Sequence, residues 1–124
     1  APSGPEPALP ETAADTPPPA LLRAAQELFD GHPAATVQLL ERFESARSRA
    51  RAQGHLLLAA ACFDLARLEP PAASRWLARA RTERLAARQT DSELAPDRRY
   101  FSPAFIEFYR SGVEPPPLPD LLEP

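Results

Sequence analysis

The sequence predicts an all-α protein. Three observations carry that prediction. Ala, Leu, Arg and Glu prevail over β-branched residues, no segment sustains the period-two alternation of a strand, and apolar residues recur at spacings of three and four between Gly and Pro breaks. The expected architecture is two antiparallel helical hairpins and a short C-terminal capping helix, with Pro-rich extended tails at both ends.

Seven of the 17 prolines fall in residues 1–19 and five more in 115–124. Segments of Pro, Glu, Thr and Ala cannot bury enough apolar surface to fold by themselves. Residues 1–19 are therefore read as an N-terminal arm, 20–111 as the helical domain and 112–124 as a C-terminal arm. A body of roughly 90 residues buries about 60–65% of its unfolded surface, which permits modest independent stability.

The first helix, 20–30, opens on prolines, repeats Leu21, Leu22, Ala25, Leu28 and Phe29 at helical spacing, and stops at Gly31. Pro33 opens a second helix expected to run to residue 52, with Val37, Leu40 and Phe43 on one side, where Gln53-Gly54 breaks it. The third, 55–69, is apolar on nearly all sides from Leu56 to Phe63 and should be the most buried element. Pro70 and Pro71 end it and start the fourth, 71–88, whose inner face would carry Ala73, Trp76, Leu77, Ala80 and Ala87 beneath a band of arginines.

Residues 89–99 read as a polar loop. Ser102 and Pro103 then form an N-cap with Pro at the first helical position, so 102–111 is a fifth helix closed by Gly112. Phe101 and Ile106 are placed for a hydrophobic staple. Five of the nine aromatic residues crowd into 100–110. Phe105, Ile106 and Phe108 are expected to cap the core, and Tyr100 and Tyr109, amphipathic at their tips, to form a partly exposed rim.

The two hairpins start about 35 residues apart, a spacing typical of helical repeat arrays. With Ala61, Ala73 and Ala80 at the positions where paired helices approach closely, the second hairpin resembles a tetratricopeptide repeat. Neither hairpin carries that family's Trp-Leu-Gly-Tyr pattern intact, and the resemblance covers residues 20 to 88. The run FSPAFIEFY after an acidic loop is also similar to a pattern in bacterial envelope proteins of this class. The resemblance implies binding or scaffolding rather than chemistry.

The net charge of -3 conceals segregation: residues 1–41 carry -5, residues 42–99 carry +5 and residues 100–124 carry -3. Arg75 and Arg79, like Arg84 and Arg88, lie one turn apart and share a face. Such a band either covers apolar neighbours with its stems or forms a surface for an acidic protein or anionic lipid headgroups. Nucleic acid is disfavoured by an acidic chain with no basic tail. The candidate partner-binding residues are Arg75, Arg79, Arg84, Arg88, Tyr100 and Tyr109, with the apolar pair Leu121 and Leu122 in the C-terminal arm.

No motif for catalysis, cofactor or metal is present. His32 and His55 read as turn or helix-start groups, Asp64 as the partner of a neighbouring Arg, and the single Cys62 as a small buried apolar side chain. No apolar run approaches the ~20 residues a bilayer requires. The chain lacks Met and begins with Ala, so either a targeting segment has been removed or the start has been trimmed; the favoured expectation is a periplasmic or exported protein, with a removed N-terminal segment as a route to membrane tethering. The expected function is a non-catalytic interaction or scaffold protein, an accessory subunit of an envelope or membrane-associated complex, including an energy-converting one. The alternative is a free-standing peptide-binding module.

Overall fold

The computed structural model describes residues 17–113. Leu121, Leu122 and most of both Pro-rich arms lie outside that range. Among the described residues the chain is all-helical: α1 (Pro19–Phe29), α2 (Pro33–Leu40), α3 (Ser48–Leu68), α4 (Ala73–Thr90) and α5 (Pro103–Ser111), with a 3-10 turn at Pro70–Ala72 between α3 and α4.

Local chemistry sets the first boundary. Pro19 starts α1, and Gly31, at φ 91, ends it. The Gly31 N–H donates to the Leu28 carbonyl at 3.1 Å and the His32 N–H to the Glu27 carbonyl at 2.8 Å. This is the paired bonding of a Schellman end, which only a left-handed residue closes without strain. Beside it, the hydroxyl of Thr36 on α2 donates to the Ala24 carbonyl of α1 at 2.9 Å, so the buried polar group that joins the two helices is satisfied.

The second helix departs from expectation. It ends at Leu40 rather than residue 52, residues 41–47 are non-helical, and α3 begins at Ser48 and runs straight through Gly54. The cause is tertiary. Phe43 folds back over α3, and a Cβ on Gly54 would meet its ring at 3.0 and 3.2 Å and Leu21 at 3.7 Å. Gly54 is the seat of an aromatic ring, not a stop. The Arg51 guanidinium donates to the carbonyls of Ser45 and Ala46, both at 3.1 Å, and holds the bend closed.

As expected, α3 is the central helix, buried almost continuously from Leu56 to Ala66 except at Asp64. Its most extensive contact is with α4, which buries only small residues fully, Ala80 and Ala87. Small side chains allow the two backbones to approach, while Trp76 and Leu77 pack at the margin. Next, α1 and α2 cover the other side of α3. The loop after α4 is pinned by buried Leu94 and by an Arg49–Asp91 ion pair of 3.1 Å.

The cap signals of α5 are realised: the Ser102 Oγ accepts from the Phe105 N–H at 3.2 Å, and Gly112 is left-handed at φ 75. Phe105 and Phe108 reach the core, where both pack on Phe63 with ring centroids 5.6 and 5.2 Å away. Tyr109, expected at a rim, is buried with 2% exposure, and Ile106 is only half-buried. The inward stripe of α5 runs through 105, 108 and 109, an i, i+3, i+4 set, which places 106 on its flank. Phe101 packs on Phe29 and Phe105.

Candidate binding surface

The arginine band does not form one open anion-binding face. Arg84 donates through Nε to the Tyr109 carbonyl at 2.7 Å and through Nη2 to the Arg110 carbonyl at 3.3 Å. Arg88 reaches the same Tyr109 carbonyl at 3.5 Å and lies 5.9 Å from the Tyr109 ring centroid. Both cations therefore sit at the negative end of α5, where unpaired carbonyls converge. Gly112 makes room, since a Cβ there would stand 3.0 Å from Arg84 Nη1.

Arg79 is engaged in a different cluster. Its Nη2 lies 3.1 Å from Glu41 Oε1 and its Nε 3.6 Å from Glu83 Oε2, while Glu83 Oε1 lies 2.7 Å from His55 Nδ1. This chain of polar contacts ties the bend after α2 to α3 and α4 around a recess of about 190 Å³. His55, expected at a helix start, stands inside α3 because the helix begins seven residues earlier. Cys62 lies close enough to feel these charges but is fully buried, and burial pushes its thiol up to about 11 against the opposing pull of Arg79. A thiol held neutral in this way is a packing group rather than a nucleophile. Arg75 remains exposed, 5.2 Å from the Trp76 ring centroid.

The exposed aromatic surface lies elsewhere. Phe29, the last residue of α1, stacks on Tyr100 with centroids 5.5 Å apart and planes 23° apart, and Phe101 meets Phe29 edge-on at 5.4 Å. Phe29 is 44% and Tyr100 59% exposed. Two large aromatic side chains are thus held together with ring surface in water, beside a groove of about 200 Å³ walled by Phe29, Tyr100, Phe101 and Phe105, with Ser102 and Asp64 also lining it. The loop before α5 sets Tyr100 in place: Asp97 accepts the Arg99 N–H at 2.8 Å, and its carbonyl accepts the N–H groups of Tyr100 and Phe101 at 2.9 and 3.0 Å. Arg99 then pairs with Asp97 at 2.7 Å and lies 5.5 Å from the Tyr100 ring centroid.

Asp64 is the one charged side chain among these groove residues. Burial lifts its carboxyl above the usual range, and the Arg67 guanidinium only partly offsets that effect. The residues named from sequence thus divide. Tyr100 is on the exposed surface, Tyr109 is in the core, and Arg79, Arg84 and Arg88 have partners within the chain. Phe29, on the exposed surface, and Asp64, half-buried in the groove beside it, were not singled out for binding in the sequence. A long-range ring stack leaves no local signal, although an acid in the apolar run LLLAAACFDLA is a legible anomaly.

No helix among the described residues is long and apolar enough to cross a membrane. Comparison with protein-family models, with curated proteins and with solved structures gave no match, so the functional reading rests on the chain's own residues.

Proposed function

We propose that this chain is a non-catalytic interaction protein that docks a partner protein through the aromatic groove between α1, α3 and α5. The observation that supports the reading is the Phe29–Tyr100 stack, in which Phe29 rests on Phe101 and Phe101 in turn on Phe105. Rigid, partly exposed aromatic side chains supply large contact area at low entropic cost and are enriched at the centres of protein interfaces. The recess that carries His55 and Glu83 has its charges joined to one another, and the neighbouring thiol is buried. That arrangement suits a structural tie better than a reaction centre.

Within this reading, α1 with α2 and α3 with α4 are two helix pairs of the tetratricopeptide kind, and α5 is their cap. The Pro-rich arms act as tethers in an exported accessory subunit of an envelope assembly. Short stiff segments lose little entropy on docking, which suits them to that task.

A photoreactive phenylalanine analogue at position 100, with a control at exposed Leu85, tests the proposal in the producing cell. The account expects a discrete crosslinked protein from position 100 only, abolished by Phe29→Glu, and co-purifying in fixed stoichiometry with the full chain. Equal crosslinking from both positions contradicts it. Binding that survives removal of both arms favours a free-standing peptide-binding module over an accessory subunit.

A further inference from the structure

The groove combines ring faces with a carboxyl that is not bonded directly to a cation. Among the described residues Asp64 makes no hydrogen bond and no ion pair, although it is only partly exposed. The cation that acts on it, Arg67, lies over the Phe63 ring at 5.7 Å from the centroid rather than on the carboxylate. Arg99, whose guanidinium lies over the Tyr100 ring at 5.5 Å from the centroid, is paired with Asp97. The negative end of α1, at Phe29, and the positive end of α5, at Ser102, both border the groove, so the two helix ends act on it with opposite sign. The sign of the groove is therefore set by Asp64.

Its size narrows the occupant. The groove is about 200 Å³, room for one long side chain to enter it. Ring faces attract a guanidinium more effectively than they attract a compact, strongly hydrated ammonium.

Building on the docking reading above, we propose that the groove receives a single cationic side chain of the partner protein, arginine in preference to lysine. Its flat head would pair with Asp64 and its body would lie against Phe29 and Tyr100. A carboxylate left partly desolvated gains most from a charge-assisted partner, which makes the site selective for charge and not only for apolar bulk.

The test is an NMR titration of the full chain with four peptides, acetyl-Ala-Ala-Xaa-Ala-Ala-amide, in which Xaa is arginine, lysine, citrulline or norleucine. Citrulline keeps the shape of arginine and loses its charge. The proposal expects the arginine peptide to shift the Asp64, Phe29 and Tyr100 resonances and to bind about tenfold tighter than the citrulline peptide. Asp64→Asn should bring that ratio close to one while leaving citrulline binding unchanged. Arg67→Ala, which removes the internal competitor for Asp64, should tighten arginine binding. Equal binding of norleucine and arginine, in the parent and in Asp64→Asn alike, overturns the cationic selectivity and leaves the docking reading standing. Silence of these resonances to all four peptides also overturns it, and the crosslink from position 100 then decides the docking reading separately.

Discussion

Replacing Arg84 by Ala should loosen the C-terminal end of α5. Arg84 spans two carbonyls there, at 2.7 and 3.3 Å, from a partly buried position. A hydrogen bond from a charged donor contributes about 1.5–3 kcal/mol, and a cation at a helix C-terminus about 0.3–1 kcal/mol, with some of the latter counted in the former. Arg88 shares the Tyr109 carbonyl and takes over part of the task. The net expectation for Arg84→Ala is a loss of about 2 kcal/mol, a large fraction of the 5–15 kcal/mol typical of a domain. Arg84→Lys should cost about half as much, because a point charge reaches the helix end but cannot fork across two carbonyls. The double variant Arg84→Ala, Arg88→Ala should cost more than either single change, with a coupling of at least about 0.5 kcal/mol since the two share an acceptor. Gly112→Ala should mimic the damage, because it forces a side chain into a left-handed backbone 3.0 Å from Arg84 Nη1. Urea unfolding with unchanged slope measures each. An Arg84→Ala loss below about 0.5 kcal/mol would refute the clamp, since surface substitutions without a structural role fall within that range.

Four further outcomes follow from the packing. The Tyr109 hydroxyl is buried without a hydrogen-bond partner among the described residues, so Tyr109→Phe should be neutral or stabilising by up to about 1–2 kcal/mol, and a loss above about 1 kcal/mol in chemical denaturation would reveal a partner. Burial raises the Asp64 carboxyl from 3.8, so the folded chain holds that proton more tightly than the unfolded chain and loses stability as pH rises from 3.8 to the folded value. Asp64→Asn should therefore be the more stable protein at pH 7 and converge on the parent below about pH 3.8, as read from melting temperatures across pH; a variant less stable at pH 7 contradicts the argument. With its thiol near 11 and fully buried, Cys62 should react with maleimide at pH 8 about a hundredfold more slowly in the folded chain than in urea. Gly54→Leu should cost about 1–3 kcal/mol by displacing the Phe43 ring, despite the better helix propensity of Leu, and a stabilised variant would show that Gly54 is not a seat for that ring.

The elements legible in the sequence were those with local causes. Gly31, the Ser102-Pro103 pair and Gly112 act on their own backbone neighbours, and each boundary lies where those residues put it. The all-apolar stretch of α3 likewise announced a central helix. The end of α2 was not legible, because Glu41 to Arg47 contains good helix formers and the break is made by Phe43 turning onto a glycine in another helix. Gly54 was misread for the same reason: a glycine that ends a helix and one that admits a ring look alike in one dimension. The arginine band shows a similar limit. Spacing placed Arg84 and Arg88 on one face, but the carbonyls they serve are more than 20 residues away.

The binding surface was half legible. The aromatic crowd at 100–110 was visible, yet its division into core and surface depended on which face of α5 turned inward and on Phe29 arriving from α1. An exposed Tyr100 was expected and is observed; a buried Tyr109 was not expected, because the cations that cover it come from α4.

The central claim is that the Phe29–Tyr100 stack serves docking and not folding. The double variant Phe29→Ala, Tyr100→Ala tests it most directly when urea stability and binding of the arginine peptide are measured on the same sample. Two rings that are each about half-buried lose about 1.5–3 kcal/mol of burial and about 0.5–1.5 kcal/mol of pairing when removed, so stability should fall by about 2–4 kcal/mol while peptide shifts at Asp64 disappear. A stability loss of about 6 kcal/mol or more, of the size expected for removing two core aromatic side chains, with peptide binding intact, would contradict the account and make the stack part of the core.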